Sequence, residues 1–327
     1  MYDVITVGSA TVDVFARTDS ELIKIKTVHH QEELIAFPCG SKILMNDLFF
    51  LTGGGGTNVA VSLAKLDHKV AYLGKVGKDV NGKIIQKMLK ENKVKFIGKV
   101  SRKHLSGYSV ILDSIEGDRT ILAHKGANNY LKFSSINKKN LKTKWFYFSS
   151  MMNESYLTLE KISKYASKNK INIAFNPSNY LAEKGKEYLN DVLKYTKILI
   201  LNKEEANLIN NKKEIKEMIL DLQSMGPSIV VITHGKKGVY TIYEGIFYHI
   251  IPNKINATET TGAGDSFASG FLSGWIRKKG IKYSLIQGMV IAQSVIQKIG
   301  AKNGLLTRNQ ALNQSKKIKF KIKKSKI

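Results

Sequence analysis

The chain opens on an apolar run, Asp3–Gly8, closed by glycine, the pattern of a strand buried in a sheet. Alternating or apolar runs follow at Glu33–Phe37 and Ile43–Leu51, with no helical period between them. The stretch GGGGTNVAVSLAKL, from Gly53, breaks that rhythm. Ala60, Leu63, Ala64 and Leu66 recur at helical spacing, so the glycine run opens a helix. A short strand at Val70–Leu73 comes next, then a helix over Asp79–Asn92 with Ile84, Ile85, Met88 and Leu89 on one face. Gly107–Ser114 and Arg119–His124 alternate as strands around EGD, a hairpin signal. From Leu141 strand and helix take turns. Strands are expected at Trp145–Phe148, Ile171–Phe175, Ile198–Leu201 and Ser228–Thr233, and helices at Glu154–Ser167, Lys203–Asn210 and Lys213–Ser224. A hairpin, Val239–Tyr243 with Ile246–Ile251, precedes two long helices, Gly264–Lys278 and Ser284–Lys298.

This alternation predicts an α/β domain with a mostly parallel sheet. The helix-free strands at 14–52 and 107–124 do not fit that rhythm and are expected to form one small sheet projecting from the main domain. The chain then divides into a core of residues 1–13, 53–106 and 125–315, a discontinuous small sheet, and a basic tail, 316–327. The opening MYDVITVGSATVD carries acidic residues and no basic leader, so it reads as a strand and not as a signal peptide. No stretch approaches the roughly 20 apolar residues of a membrane helix.

Charge changes the picture. Lysine and arginine total 52 against 26 acidic residues, a formal net charge of +26. Only Arg17, Arg102, Arg119, Arg277 and Arg308 are arginines, whereas proteins that read nucleic acid lean on arginine's planar fork. Lysine spread along the chain predicts a solvated surface that attracts anionic substrates such as nucleotides. The tail KKIKFKIKKSKI, Lys316–Ile327, holds seven lysines among twelve residues. It is expected to fray in solvent, with weak attachment to RNA or an anionic membrane as the alternative. The one cysteine, Cys39, excludes an intramolecular disulfide or a multi-cysteine metal centre and fits a reduced, cytoplasmic protein.

Two glycine-rich stretches carry the chemistry. In ETTGAGDSFASGFLSG, Glu259–Gly274, the residues Gly262, Ala263 and Gly264 let a phosphate touch backbone where a helix begins, so N–H groups and the positive helix end make an anion hole. Asp265 in the first turn would repel that anion unless it takes a proton from an attacking hydroxyl. In GGGGTN, Gly53–Asn58, backbone is able to approach a ligand and Asn58 adds an amide. GKDVNGKI, Gly77–Ile84, is a chance match to a P-loop, because Ile84 stands where Ser or Thr holds magnesium. Asp13 follows the first strand and could accept from two neighbouring hydroxyls, or serve as a turn cap. Asn202 and Glu205 sit at a strand-to-helix junction, where they could orient water on magnesium or merely cap the helix. THGKKG, Thr233–Gly238, ends another strand at the edge where α/β folds place ligands.

The order and combination of these motifs resemble the PfkB family of carbohydrate kinases, the ribokinase-like superfamily, from Asp3 to about Ala301. GGGGTNVAVSLAKL is similar to that family's first signature and TTGAGDSFASGFLSG to its second. The resemblance implies a ribokinase-like three-layer α/β/α domain with a small β-sheet lid built from two segments. It implies Asp265 as catalytic base over an anion hole of Gly262, Ala263 and Gly264, with Asp13, Gly54, Gly55 and Asn58 holding substrate hydroxyls. Asn176, Thr233, Gly235, Lys236, Gly238 and Gly264 would bind the nucleotide, and Asn202 and Glu205 would serve Mg²⁺ through water. Gly126-Ala127-Asn128 resembles the family's turn at the end of the lid. Glu259, where members usually have Asp, and Thr261 fall in the region used for a monovalent cation such as K⁺.

The resulting expectation is an ATP-dependent kinase acting on a hydroxymethyl group of a sugar or sugar-like alcohol, with a possible homodimer formed through the lid. A nucleoside kinase of the same fold is the close alternative, with Tyr108, Phe37 or Tyr147 as candidates for a base slot. A non-catalytic sugar sensor is the remote one, because such a protein should lose the base or the anion hole first, and both are present.

Overall fold

The computed structural model describes residues 1–17, 22–26, 31–35, 39–113 and 119–327. Its central sheet has seven parallel strands, in the order Ile229–Thr233, Ile198–Asn202, Asn172–Phe175, Thr143–Phe148, Tyr2–Val7, Val70–Leu73 and Lys95–Phe96. Beyond Ile229–Thr233 three antiparallel strands extend it: Val239–Tyr243, Ile246–Ile251 and Lys321–Lys326.

A parallel sheet is buried on both faces, and these strands are apolar at consecutive positions for that reason. Trp145 and Tyr147 pack on one face with Val4, Ile198, Ile200 and Val231. Phe146 and Phe148 pack on the other with Ile5, Leu199, Leu201 and Ile232. Helices Gly55–Lys65, Ala263–Ile276 and Gly280–Val295 cover the first face through Leu63, Phe267, Phe271 and Leu285. Helices Glu154–Lys168, Gly185–Leu193 and Ile215–Ser224 cover the second through Leu159, Ile162, Val192 and Ile219. The three layers are the expected ones.

The two helices that begin in glycine-rich stretches are pinned to each other by buried polar pairs. Ser62 Oγ lies 2.6 Å from Ser269 Oγ, and His68 Nε2 lies 2.8 Å from Ser273 Oγ. Burial holds the His68 imidazole down to about 4, so it is neutral at pH 7 and packs as a polar core residue.

A separate four-stranded sheet has the order Arg119–His124, Gly107–Asp113, Thr11–Arg17, Asp47–Gly53, with a parallel pair at its centre. Its strands come from the two orphan segments, but its limits differ from those read in the sequence. Asp13 follows the first strand as expected, but it lies inside the second, Thr11–Arg17, and not in a turn, with Val12, Val14 and Ala16 buried around it. The run expected at Ile43–Leu51 becomes a strand only from Asp47, and Ile43, Leu44 and Met45 are exposed. The run expected at Glu33–Phe37 is the strand Gln31–Ile35, paired in a hairpin with Leu22–Lys26, and Phe37 lies outside the described residues, as does the EGD turn. The Asp79–Asn92 helix spans Val80–Glu91 with Asp79 as its N-cap.

The lysine-rich tail departs most from expectation. It does not fray. Helix Arg308–Lys317 starts on a capping box of Thr307 and Gln310, and Lys321–Lys326 then pairs antiparallel with Ile246–Ile251. Ile318, Phe320 and Ile322 pack against the core. Strand pairing uses backbone groups, so alternation lets apolar side chains turn inward while lysines stay in water. Deleting residues 319–327 is expected to lower the melting temperature by about 1.5–3 °C, the shift roughly 1–2 kcal/mol gives in a chain this long. An unchanged thermal transition would show that the strand contributes nothing to stability.

Candidate active site

The residues singled out in the sequence meet where the C-terminal ends of the parallel strands face the small sheet. A cavity of about 320 Å³ lies there. Asp13, Ser109, Ile111, Ile121 and Ala123 line it from the small sheet, and Gly54, Gly55, Asn58, Ser149, Asn176, Gly262 and Asp265 from the core.

The glycine run lets the Gly55–Lys65 helix begin against the first strand. Gly54 has φ +92° and a Cβ there would stand 2.5 Å from the Ser9 carbonyl oxygen, so no other residue fits without movement. Gly56 N–H donates to Ser9 O at 3.1 Å. Asn128, of the Gly126–Asn129 turn, locks the same junction: its amide accepts from Ala10 N–H and donates to Ala10 O, both at 2.9 Å.

At the second glycine stretch the glycines differ in purpose. Gly262 has φ +77°, and a Cβ would meet the Ala301 Cβ at 2.4 Å. Gly264 is exposed, with nothing within 4 Å of its would-be Cβ. Ala263 N–H turns back to Thr260 O and Ser266 N–H to Gly262 O. A helix start offers its other first-turn N–H groups to an incoming anion. Gly262 therefore answers to the fold, and Gly264 keeps space open for a ligand.

Asp265 is half-buried on the cavity wall, and Asn58 Nδ2 donates to its Oδ2 at 2.8 Å. Desolvation pushes its carboxyl above the usual carboxylate range, opposed by the Asn58 bond and the Lys302 charge. Asp13 is 9% exposed and behaves alike: burial raises it, while the Thr11 hydroxyl, the Lys302 charge and the Ser109 hydroxyl hold it back.

Lys302 is the residue that sequence reasoning missed. Its Nζ donates to Thr52 O at 2.7 Å and to Asn58 Oδ1 at 2.5 Å, next to both carboxylates. The resemblance in sequence extends only to about Ala301, just short of it. Nothing in periodicity separates this lysine from its many neighbours.

Of the other expected residues, Asn176 and Thr261 line the cavity, and Asn202, Glu205, Thr233, Gly235, Lys236, Gly238 and Glu259 do not. Asn202 and Glu205 form a capping box: Glu205 N–H donates to Asn202 Oδ1 at 2.7 Å, and Asn202 N–H donates to Glu205 Oε2 at 2.9 Å. Burial, with repulsion from Asp265, leaves the Glu205 carboxyl raised despite the bond from Asn202. Thr233 is in register beside Asn202 on the next strand, followed by the short turn Gly235–Lys237 that carries Lys236 and ends at Gly238. Asn176 Oδ1 accepts from Ser178 N–H at 3.0 Å. Glu259 Oε2 accepts from Gly300 N–H at 2.6 Å, and Thr261 Oγ1 is buried without a hydrogen-bond partner. Of the expected base-slot residues, Tyr147 is buried in the core and neither it nor Tyr108 lines the cavity. Tyr180, Met151 and Met152 do, and Lys125 Nζ stands 3.6 Å from the Tyr180 ring centre.

Comparison with known proteins decides the family, because residues 1–308 match the pfkB family carbohydrate kinases. The chain belongs to the pfkB family of carbohydrate kinases. It is thus an ATP-dependent phosphotransferase acting on an alcohol group of a sugar-type substrate. It is 28% identical over 282 residues to the cytidine kinase of Thermococcus kodakarensis, covering 83% of this chain and 95% of that one. It is 25% identical over 312 residues to the ribokinase of Bacillus subtilis, covering 95% and 98%. The structure of Arabidopsis thaliana ribokinase complexed with ribose and ATP superposes with a TM-score of 0.81 at 21% identity, covering 96% of this chain and 99% of that one, which bears out the ribokinase-like fold.

Two glycine substitutions are expected to separate fold from function. Gly262→Ala should lose about 1–3 kcal/mol, the usual cost of strained backbone, before any clash with Ala301 is relieved. Gly264→Ala should be neutral or stabilising by up to about 1 kcal/mol, because alanine favours helix over glycine. Denaturant unfolding of both variants checks the contrast, and equal losses would refute it.

Proposed function

We propose that the protein transfers the γ-phosphoryl group of ATP to a hydroxymethyl group of a sugar or sugar-like alcohol, with Asp265 as the base. The observation that carries this reading is the Asn58–Asp265 hydrogen bond. It joins a hydroxyl-binding amide and a carboxylate at a helix N-terminus in one cavity.

Asp13, Asn58 and the backbone at Gly54 and Gly55 hold the acceptor's hydroxyls. Asp265 accepts the proton of the attacking hydroxyl as its oxygen bonds to the γ-phosphorus. The bond from that phosphorus to the bridging oxygen breaks, and ADP leaves. The Ala263–Ile276 N-terminus, with Gly262, Ala263 and Gly264, stabilises charge on the phosphoryl oxygens. Asn176 and the stretch holding Thr233, Gly235, Lys236 and Gly238 bind the nucleotide along the same sheet edge. The small sheet acts as a lid that keeps water from the phosphoryl group.

The donor set fits magnesium of the kind that keeps most of its waters. Among the described residues no cluster of three or more His, Cys, Asp or Glu side chains exists, and Glu205 already accepts one backbone bond. Glu205, with Asn202, would hold Mg²⁺ through water, its remaining ligands coming from phosphate. When bound, the ion would neutralise phosphate charge. The unpartnered Thr261 hydroxyl supports a monovalent-cation site on the loop behind the anion hole, where Glu259 instead secures Gly300.

A nucleoside acceptor is the second reading. It is supported by the apolar surface of Ile111, Ile121, Ala123 and Met152 in the same cavity. Pairing of two copies through the lid is supported by exposed apolar residues on its two outer strands, Phe50 at 66% and Leu122 at 56% exposure. A cytoplasmic setting accords with a single exposed cysteine, and among the described residues no helix is long and apolar enough to cross a membrane.

Turnover of ATP against pentoses, hexoses, nucleosides and sugar phosphates tests the acceptor class. Asp265→Asn is expected to fold, bind ATP nearly as well, and lose about 10²–10⁴ in kcat, the weight of base catalysis with positioning. Activity within tenfold of the unmodified protein would remove Asp265 from that role. Because burial raises the Asp265 carboxyl, the acid limb of kcat/KM is expected above the usual carboxylate range, with activity lost as pH falls through it. A limb at or below pH 4 would contradict this.

A further inference from the structure

Asp13 and Asp265 line one cavity, and each must be charged to do its work: Asp13 to accept from hydroxyls, Asp265 to take a proton. Burial works against charge on each of them, and a cation near both offsets that. The cation near both is the Lys302 ammonium. An ammonium has only hydrogens to offer, and its two bonds go to the Thr52 carbonyl and the Asn58 amide oxygen.

That second bond has a consequence for Asn58. An amide presents oxygen at one end and NH₂ at the other. With its oxygen committed to Lys302, its NH₂ has to be the end that reaches Asp265 Oδ2, as observed at 2.8 Å. Turned over, Asn58 would set an oxygen against a carboxylate and an NH₂ against an ammonium. Lys302 is itself held by the loop of the anion hole. Glu259 takes the N–H of Gly300, and Ala301 fills the space where a Gly262 side chain would stand. The base, the anion hole and the ammonium are thus fixed as one unit, and Thr52 ties that unit to the small sheet.

We propose that Lys302 is a positioning residue for phosphoryl transfer, one that fixes the orientation of Asn58 and keeps Asp13 and Asp265 charged together. This rests on Asp265 being the base. The charged groups facing the ammonium are Asp13 from the strand Thr11–Arg17 and Asp265 from the helix Ala263–Ile276, and Glu259 acts on Asp13. Desolvation lowers the Lys302 ammonium to about 8, so the site loses this charge as pH rises through that value.

The test compares the unmodified protein, Lys302→Met and Lys302→Arg, using the best acceptor from the substrate panel. Lys302→Met is expected to lower kcat by about thirtyfold or more and to move the acid limb of kcat/KM upward by about one pH unit, as loss of a neighbouring cation does. In the unmodified protein kcat should fall between pH 7 and 9. Lys302→Arg should remove that alkaline fall, since arginine stays charged. The titration of ¹³C-labelled aspartate carboxyls, assigned through Asp265→Asn, should show the Asp265 shift in Lys302→Met without any turnover. An unmoved acid limb and unmoved carboxyl titration would overturn the proposal, even if Lys302→Met melts lower. So would an effect confined to the KM of anionic acceptors, which would make Lys302 a recognition group. If Lys302→Met does not fold, persistence of the alkaline fall in Lys302→Arg overturns it. Failure of the unmodified protein to phosphorylate any acceptor would count against the proposed function alone, because the carboxyl titration still decides the role of Lys302.

Discussion

The site depends on the approach of two helix beginnings, each made possible by glycine. Helix Gly55–Lys65 starts against the first strand, and helix Ala263–Ile276 starts at the anion hole. They lie side by side on one face of the sheet, joined by Ser62–Ser269 and His68–Ser273, and at their tips by Asn58 and Asp265. Buried polar pairs of this kind contribute little net energy each, but they penalise every other register, because a slipped helix leaves donors unsatisfied. A residue from the first signature and a residue from the second meet at 2.8 Å because the helices behind them are indexed in this way.

The central sheet was legible because burial on both faces writes continuous apolar runs, as at Trp145–Phe148 and Ile198–Leu201. The small sheet was legible as a set of orphan strands but not in its limits. Thr11–Arg17 carries an aspartate at its centre, and a buried aspartate in a strand looks in sequence like the end of one. The helix Ser178–Ala182 is a single turn after a proline and does not announce itself locally. The helix Gly185–Leu193 has Leu189, Val192 and Leu193 at helical spacing but only nine residues in which to show it.

The candidate site was legible where glycine and small polar residues are unusual in combination, and illegible where a common residue takes an uncommon position. Asn58 and Asp265 stand inside signatures. Lys302 stands in a lysine-rich chain, and its role comes entirely from what surrounds its Nζ. Asn202 and Glu205 illustrate the converse. Their capping box is fully satisfied within the helix start, yet Glu205 keeps a second carboxylate oxygen and the electrostatic influence of Asp265. A cap and a ligand for metal-bound water are compatible in the same pair.

The last strand, Lys321–Lys326, has a bearing on solubility. An open sheet ends in a row of unpaired backbone groups that invites another chain to continue the ladder. Here one edge is the two-residue strand Lys95–Phe96, too short to template anything. The opposite edge is a strand with lysine at four of its six positions. A second copy approaching that edge in strand register would bring ammonium groups against ammonium groups, with no carboxylate in the strand to answer them. The sheet is thereby finished at one side by brevity and at the other by charge, and neither edge offers a long apolar ladder for another chain to extend.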